Sequence, residues 1–253
     1  MSDHASTVAA SRGVRGAAYT VLTPANRYAS RLPNLRDGLL YKLVTPRLAP
    51  ARFGEYVVAL DPGGGTSTPV APGFEDFLYV LDGEVALRAD GLDGPLRPGS
   101  WCYLPAGAAF GLEAGARPAE VLWLKRRYEP WPGLPAPEAR AGHRDDEPFA
   151  PDPGVPGFRR RELLDPLDPR HDFNMSLLAF DPGVGLAKVE VHDEEHGLYM
   201  TAGGGSYHLD GAQHEVREHD FIYMAPYCPQ SFVATGAESA EYLLYKDVYR
   251  DGF

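Results

Sequence analysis

The second half of the chain echoes the first at an offset of 120 residues. Leu60-Asp61-Pro62-Gly63 returns as Phe180-Asp181-Pro182-Gly183, Leu78-Tyr79 as Leu198-Tyr199, and Gly83 as Gly203, while Tyr103 and Pro105 fall near Tyr223 and Ala225. Past residue 114 the offset becomes 121, so that Ala119-Glu120 and Lys125 match Ala240-Glu241 and Lys246. A repeat of this length means that one unit of structure is built twice, and any admissible fold must supply two like domains.

What is repeated is β structure. LLYKLV, GEYVVALDPGGG, FEDFLYVLDGEVALRADG, WCYLPAGAAFGLEA and AEVLWLKRRYE are β-branched and aromatic runs cut by DPG, DG and PG turns. With 28 Gly and 24 Pro among 253 residues and few stretches of helical period, the composition favours short strands and tight turns. Each copy is expected to be an antiparallel sandwich or barrel. The boundaries read as an N-terminal arm over 1–40, a first domain over 41–129, a proline-rich linker over 130–157 and a second domain over 158–253. The linker, with WPGLPAPE and DDEPFAPDPGVPG, can be neither helix nor central strand.

A formal charge of −11 leaves no basic stripe for a phosphate backbone, so nucleic acid is not an expected partner. Cys102 and Cys228 are too few for a disulfide framework and lie in apolar runs, which reads as two reduced core residues. There is no apolar leader at the N-terminus and no segment near the ~18 apolar residues of a membrane span, so a cytoplasmic protein is expected.

Possible metal ligands concentrate in the second copy. Glu190, His192 and His196 are followed by Gln230 two strand-like runs later. If 188–192 is a strand, Glu190 and His192 share one face and Val189 and Val191 the other. Imidazole nitrogen with carboxylate and amide oxygen suits a divalent transition metal, and the absence of thiolates argues against structural zinc. The repeat supplies a control. Subtracting 120 from the four positions gives Val70, Pro72, Asp76 and Phe110, of which only Asp76 has a ligand atom. The expectation is one metal per chain, in the second domain.

The motifs DPGVGLAKVEVHDEEHGLYMTAGG and REHDFIYMAPYCPQSF resemble the paired motifs of the cupin superfamily. Glu190 replaces the usual first histidine and Gln230 the usual last one. That departure, with EHGLY, CPQ and the ending YLLYKDVYR, resembles the bicupin (S)-ureidoglycine aminohydrolase family over about Gly54 to Arg250. The resemblance implies tandem cupin barrels of the jelly-roll, or double-stranded β-helix, type. It also implies a manganese-dependent hydrolase of purine and allantoin catabolism, releasing ammonia from (S)-ureidoglycine. It assigns Glu190, His192, His196 and Gln230 to the metal, and Tyr207, Tyr242 and Lys246 to the substrate, with Glu138 of PAPEAR as a further substrate contact.

These residue types suit a small substrate carrying a carboxylate, an amino group and a ureido group. Lys246 is the expected cation for the carboxylate, and Glu190 the expected proton acceptor. Two other readings stay open: a metal-dependent bicupin dioxygenase acting on another small acid, and a non-catalytic small-ligand-binding protein. The arm and the aromatic strands point to a homo-oligomer, with a dimer as the minimum.

Overall fold

The computed structural model describes residues 12–48, 50–68, 72–89 and 91–248. The chain forms two compact units, both antiparallel throughout. One contains Tyr28–Glu147 with Leu167–Asp172; the other contains the residues up to Arg27, Pro148–Pro166 and everything from Phe173. Among the described residues the only helix is a single 3-10 turn at Pro24–Asn26.

These divisions do not follow the sequence boundaries. The described part of the arm is shared between the units. Tyr19–Leu22 joins the sheet of the second unit beside Phe221–Met224, whereas Ala29–Ser30 and Leu35–Val44 join the first. Two short strands lie within the expected linker. Arg140–His143 pairs with Ser100–Leu104, and Ala150–Pro151 pairs with Phe158–Glu162. Both close a sheet edge, the position a proline-containing strand can take, because no further neighbour needs its missing N–H.

The repeat seen in the sequence is a repeat of register. Asp76 lies across from Lys125 as His196 lies across from Lys246, and Leu60 faces Ala119 as Phe180 faces Ala240. Even the irregularity recurs: the ladder slips between Glu120 and Val121 in one copy and opposite Tyr242 and Glu241 in the other. A buried carboxylate is also kept. Tyr103 donates to Glu75 at 2.7 Å, and at the matching place Tyr223 donates to Glu195 at 3.3 Å. In the first unit Glu75 belongs to a larger buried group. Arg126 lies 3.8 Å from Glu75 and 3.5 Å from Asp172, all three essentially without solvent exposure.

The copies differ in one strand, and that difference makes the site. Phe53–Thr68 runs unbroken for 16 residues, pairing first with Ala119–Arg127 and then with Phe110–Ala114. Its counterpart Phe173–Phe180 stops after 8 residues, and the chain meets Gln230–Ala234 again through isolated bridges at Gly185 and Glu190 and a hydrogen bond from Gly183 to Ala234. Each unit has its own apolar core, the first around Leu40, Leu87, Phe110 and Val121, the second around Phe180, Phe232 and Met200. Cys102 and Cys228 are unpaired and buried; burial pushes their thiols up to about 12 and about 11.

Candidate metal centre

The interrupted strand carries the site. Residues 188–192 are not a regular strand; a single bridge holds them, in which the Glu190 N–H donates to Gln230 at 2.8 Å and the Gln230 N–H donates back at 3.0 Å. Residues so opposed point their side chains to the same face. The period of two expected here survives, with its polarity inverted relative to an ordinary strand. Val189 and Val191 are 50% and 56% exposed, while Glu190 and His192 turn inward. The N–H of Tyr227 donates to the His192 carbonyl at 2.7 Å and fixes the end of the segment.

His192, His196 and Gln230 converge. Nε2 of His196 lies 3.2 Å from Nε2 of His192, and the Gln230 carboxamide lies 3.1 Å from that same nitrogen. Two donors bound to one ion at roughly 2.1 Å and at right angles stand about 3.0 Å apart, so this spacing is that of neighbouring ligands. The side-chain amide presents nitrogen to His192; a half-turn of the carboxamide puts Oε1, the atom able to bind a metal, in the same place.

A carboxylate stands behind one of the two imidazoles. Oε2 of Glu194 lies 3.0 Å from Nδ1 of His192, at ion-pair distance though off the line of a hydrogen bond, and Oε1 of Glu194 lies 2.8 Å from the Lys246 ammonium. The Nδ1 atoms of His192 and His196 are both buried and make no hydrogen bond among the described residues. A carboxylate or carbonyl on the far ring nitrogen is what directs the near one toward a metal. Burial, aided by His192 and Lys246, pushes the pKa of His196 down to about 3, so this ring is the neutral form that a ligand requires.

Glu190 shares the cavity but stands apart from the imidazoles. Among the described residues no three His, Cys, Asp or Glu side chains stand close enough to form a ligand cluster by themselves. The converging set is two imidazoles and an amide, and Glu190 makes its electrostatic influence felt on Tyr207 and Tyr242. Those two phenols are 2% exposed and lie close enough to influence each other's ionisation. Burial raises the pKa of both, Tyr207 the more strongly, so each stays protonated and acts as a hydrogen-bond donor. Both also pack on Phe232, with ring centroids 5.5 Å away, and so serve the core and the cavity together.

The cavity holds about 70 Å³ and is lined by Glu190, both histidines, Gln230, both tyrosines and Lys246, together with Arg160 and three leucines. Of the residues expected at the site, Glu138 is not among them; it is exposed and belongs to the first unit. Arg160 and Glu194 were not expected. Glu194 sits in the charged run DEEH and carries no sequence signal of its own. Arg160 did have one: it stands two residues from the core residue Phe158 on one strand, hence on the same face.

The first unit shows what the interior of the same architecture looks like without these groups. Phe110 holds the Gln230 position and packs edge-on against Trp123 at 5.6 Å. Asp76, at the His196 position, accepts a hydrogen bond from Trp123 Nε1 at 2.7 Å and pairs with Lys125 at 3.7 Å. Pro72 lies in an exposed turn, and Val70 is outside the described residues. The register, moreover, sets Thr68 across from Phe110, where the second unit sets Glu190 across from Gln230. The count from sequence therefore drifts by two residues at the interruption.

No family model matches the chain. Relatives do. The (S)-ureidoglycine aminohydrolase of Arabidopsis thaliana is 32% identical over 92% of this chain and 76% of its own length, and that of Escherichia coli (strain K12) is 31% identical over 92% and 89%. Among solved structures, the E. coli protein Ylba superposes with a TM-score of 0.85 at 29% identity, over 98% of both chains. Bacillus subtilis oxalate decarboxylase, studied for its Mn(II) centres, shares the fold alone, with a TM-score of 0.66 at 14% identity over 95% of this chain and 80% of that one. Identity of this level over nearly the whole chain, with a bicupin architecture, places the chain in the (S)-ureidoglycine aminohydrolase family.

Proposed function

We propose that the chain releases ammonia from (S)-ureidoglycine, leaving (S)-ureidoglycolate, and that it does so with one divalent ion, manganese, in the second unit. The observation that carries the metal assignment is the convergence of His192 Nε2, His196 Nε2 and the Gln230 carboxamide at 3.1–3.2 Å, in a cavity of the size of a few small-molecule groups. These three would hold the ion, with Glu190, which lines the same cavity, as the anionic ligand. A manganese ion at this place would supply Lewis-acid stabilisation of negative charge developing on oxygen. Nitrogen and oxygen donors without thiolate are compatible with manganese.

The reaction exchanges the carbon–nitrogen bond of the amino group for a carbon–oxygen bond to water. Ammonia leaves with the bonding pair, and the attacking water gives up a proton. Glu190 is the carboxylate that lines the cavity among the described residues, and so is the group placed to accept that proton. Tyr207 and Tyr242 remain neutral and donate hydrogen bonds to substrate oxygens. Leu178, Leu186 and Leu244 keep the remaining wall apolar, which strengthens each of these interactions.

The test is ammonia release from freshly generated (S)-ureidoglycine by chelator-treated protein, before and after addition of Mn2+, without oxygen. Activity restored by about one equivalent of Mn2+ supports the reading; no ammonia, or a need for oxygen, overturns it. We assign the chain to the cytoplasm, on the support of two unpaired, buried thiols of the kind a reducing compartment preserves. No helix among the described residues is long and apolar enough to cross a membrane. A homo-oligomer is proposed on the ground that closed symmetric assemblies are the common state of soluble oligomeric enzymes. Light scattering checks it.

A further inference from the structure

One carboxylate serves two partners at the edge of the site. Oε1 of Glu194 lies 2.8 Å from the ammonium of Lys246, which lines the cavity, and Oε2 lies 3.0 Å from Nδ1 of His192. Lysine, carboxylate and imidazole thus form a chain that runs from the cation of the cavity to a metal-ligand residue. The two contacts are unequal. Glu194 accepts a hydrogen bond from Lys246, whereas Nδ1 of His192 is buried and makes none among the described residues. A ring that ligates a metal is neutral, so the ammonium is the stronger partner and draws the carboxylate off the line of the imidazole N–H. At 3.0 Å the charge of Glu194 already acts on the ring; alignment would add the hydrogen bond.

The contact with lysine belongs to the fold rather than to one side-chain conformation. Lys246 is across from His196, and Glu194 stands two residues before His196 in the turn that leads into that strand. Counting back 120 residues sets Glu194 against Phe74 and Glu195 against Glu75, and the match holds there, since Tyr223 and Tyr103 donate to the two matched glutamates. In the first unit the ammonium of Lys125, the counterpart of Lys246, lies 5.3 Å above the Phe74 ring and pairs with Asp76 at 3.7 Å. The residue two places before the His196 position therefore reaches the strand-end lysine in both copies. In the first unit that residue is apolar and the lysine is its end point. In the second it carries a carboxylate, and an imidazole of the metal site stands within reach of the other oxygen.

We propose that Glu194 is a positioning residue divided between Lys246 and His192: a substrate carboxylate that takes the Lys246 ammonium releases Glu194 to complete a hydrogen bond with Nδ1 of His192, and so tightens the hold of His192 on the metal ion. This deepens the proposed function and rests on it for the identity of the acid. A carboxylate aligned on the far nitrogen fixes the ring and raises its basicity as a ligand. Linkage makes the effect reciprocal, so the acid and the ion bind more tightly together than apart.

Mn2+ affinity, followed by the electron paramagnetic resonance of the free ion, reads this competition without turnover. Lys246→Met should tighten Mn2+ binding at least about fivefold more with Glu194 present than in a Glu194→Gln background, the background correcting for the loss of a positive charge near the ion. In the wild type, (S)-ureidoglycolate should tighten Mn2+ binding at least about fivefold more than its neutral carboxamide counterpart does, and Glu194→Gln should remove most of that excess. This second measurement needs no change at Lys246 and decides the matter even where Lys246→Met does not fold. The inference is overturned if Lys246→Met weakens Mn2+ binding or acts equally in both backgrounds, or if the excess for the acid is absent from the wild type or survives in Glu194→Gln. Absence of ammonia release by the wild type refutes the proposed reaction instead, so the two failures are separable.

Discussion

Replacing Glu194 by Gln tests the chain from Lys246 to His192 with little change of volume. The amide keeps one acceptor oxygen, which can face the Lys246 ammonium or the His192 ring but not serve both as the carboxylate does at 2.8 and 3.0 Å. Loss of a carboxylate behind a ligating histidine typically costs about 10- to 100-fold in metal affinity, or ~1.4–2.7 kcal/mol. The stability cost should be smaller. The side chains of Lys246 and Glu194 are 36% and 23% exposed, so solvent screens the pair and about 0.5–1 kcal/mol is at stake, a shift in Tm of no more than about 4 °C. Partial burial opposes ionisation of Glu194, but the hydrogen bond from Lys246 outweighs it and holds the carboxyl below its usual range. The pair therefore stabilises the fold above the usual carboxylate pKa, and the contribution is lost as pH falls through the lowered value. The assay is Mn2+ titration of chelator-treated protein beside thermal unfolding of the metal-free form. A variant with unchanged Mn2+ affinity and a lowered Tm would refute the positioning role and leave only a surface ion pair.

Arg126→Met should destabilise the protein by about 3–5 kcal/mol in urea unfolding, since it leaves Glu75 and Asp172 buried without their cation; a loss under about 1 kcal/mol would show that solvent reaches the group. Burial, reinforced by Asp172, raises the pKa of Glu75 well above its ordinary value, so its contribution is present below the unfolded value of about 4.5 and declines as pH rises toward the folded one, by up to ~1.4 kcal/mol per unit. Glu75→Gln should flatten that slope between pH 5 and 7, and an unchanged slope would place the titration elsewhere. Tyr242→Phe should leave Mn2+ binding intact and reduce ammonia release about tenfold, because it deletes a donor while keeping the ring against Phe180 and Phe232; equal loss of metal would make the residue structural.

The fold was legible because the repeat conserves register. Turn glycines and the Leu-Tyr and Ala-Glu pairs fixed the offset, and the change from 120 to 121 matches one extra residue in the turn before Ala240 relative to that before Ala119. Alternation around His192 gave the shared face of Glu190 and His192 without a regular strand. What was hidden is long-range or local in a way that period cannot show. No pattern in Tyr19–Leu22 announces pairing with residues some 200 positions away. The two-residue drift at Glu190 arises where pairing is reduced to isolated bridges, so counting along the chain ceases to track position across the sheet. Lys246 lines the cavity, but its partner depended on the conformation of an acidic turn. Such turns have many solutions of similar energy.

The strand Tyr19–Leu22 also sets an order of events during synthesis. It lies beside Phe221–Met224, which in turn lies beside the His196 strand, yet it leaves the ribosome some 200 residues earlier. At about 5–20 residues per second, Tyr19 and Val21 wait roughly 10–40 s for the strand that will cover them. The first unit has its principal strands by then and can close while translation continues. The sheet of the second unit has an unpaired edge until the chain is almost complete, and its opening residues must be kept from other partners in the interval. A nascent chain stalled before Phe221 should therefore be more readily cleaved by protease near Tyr19 than the finished protein.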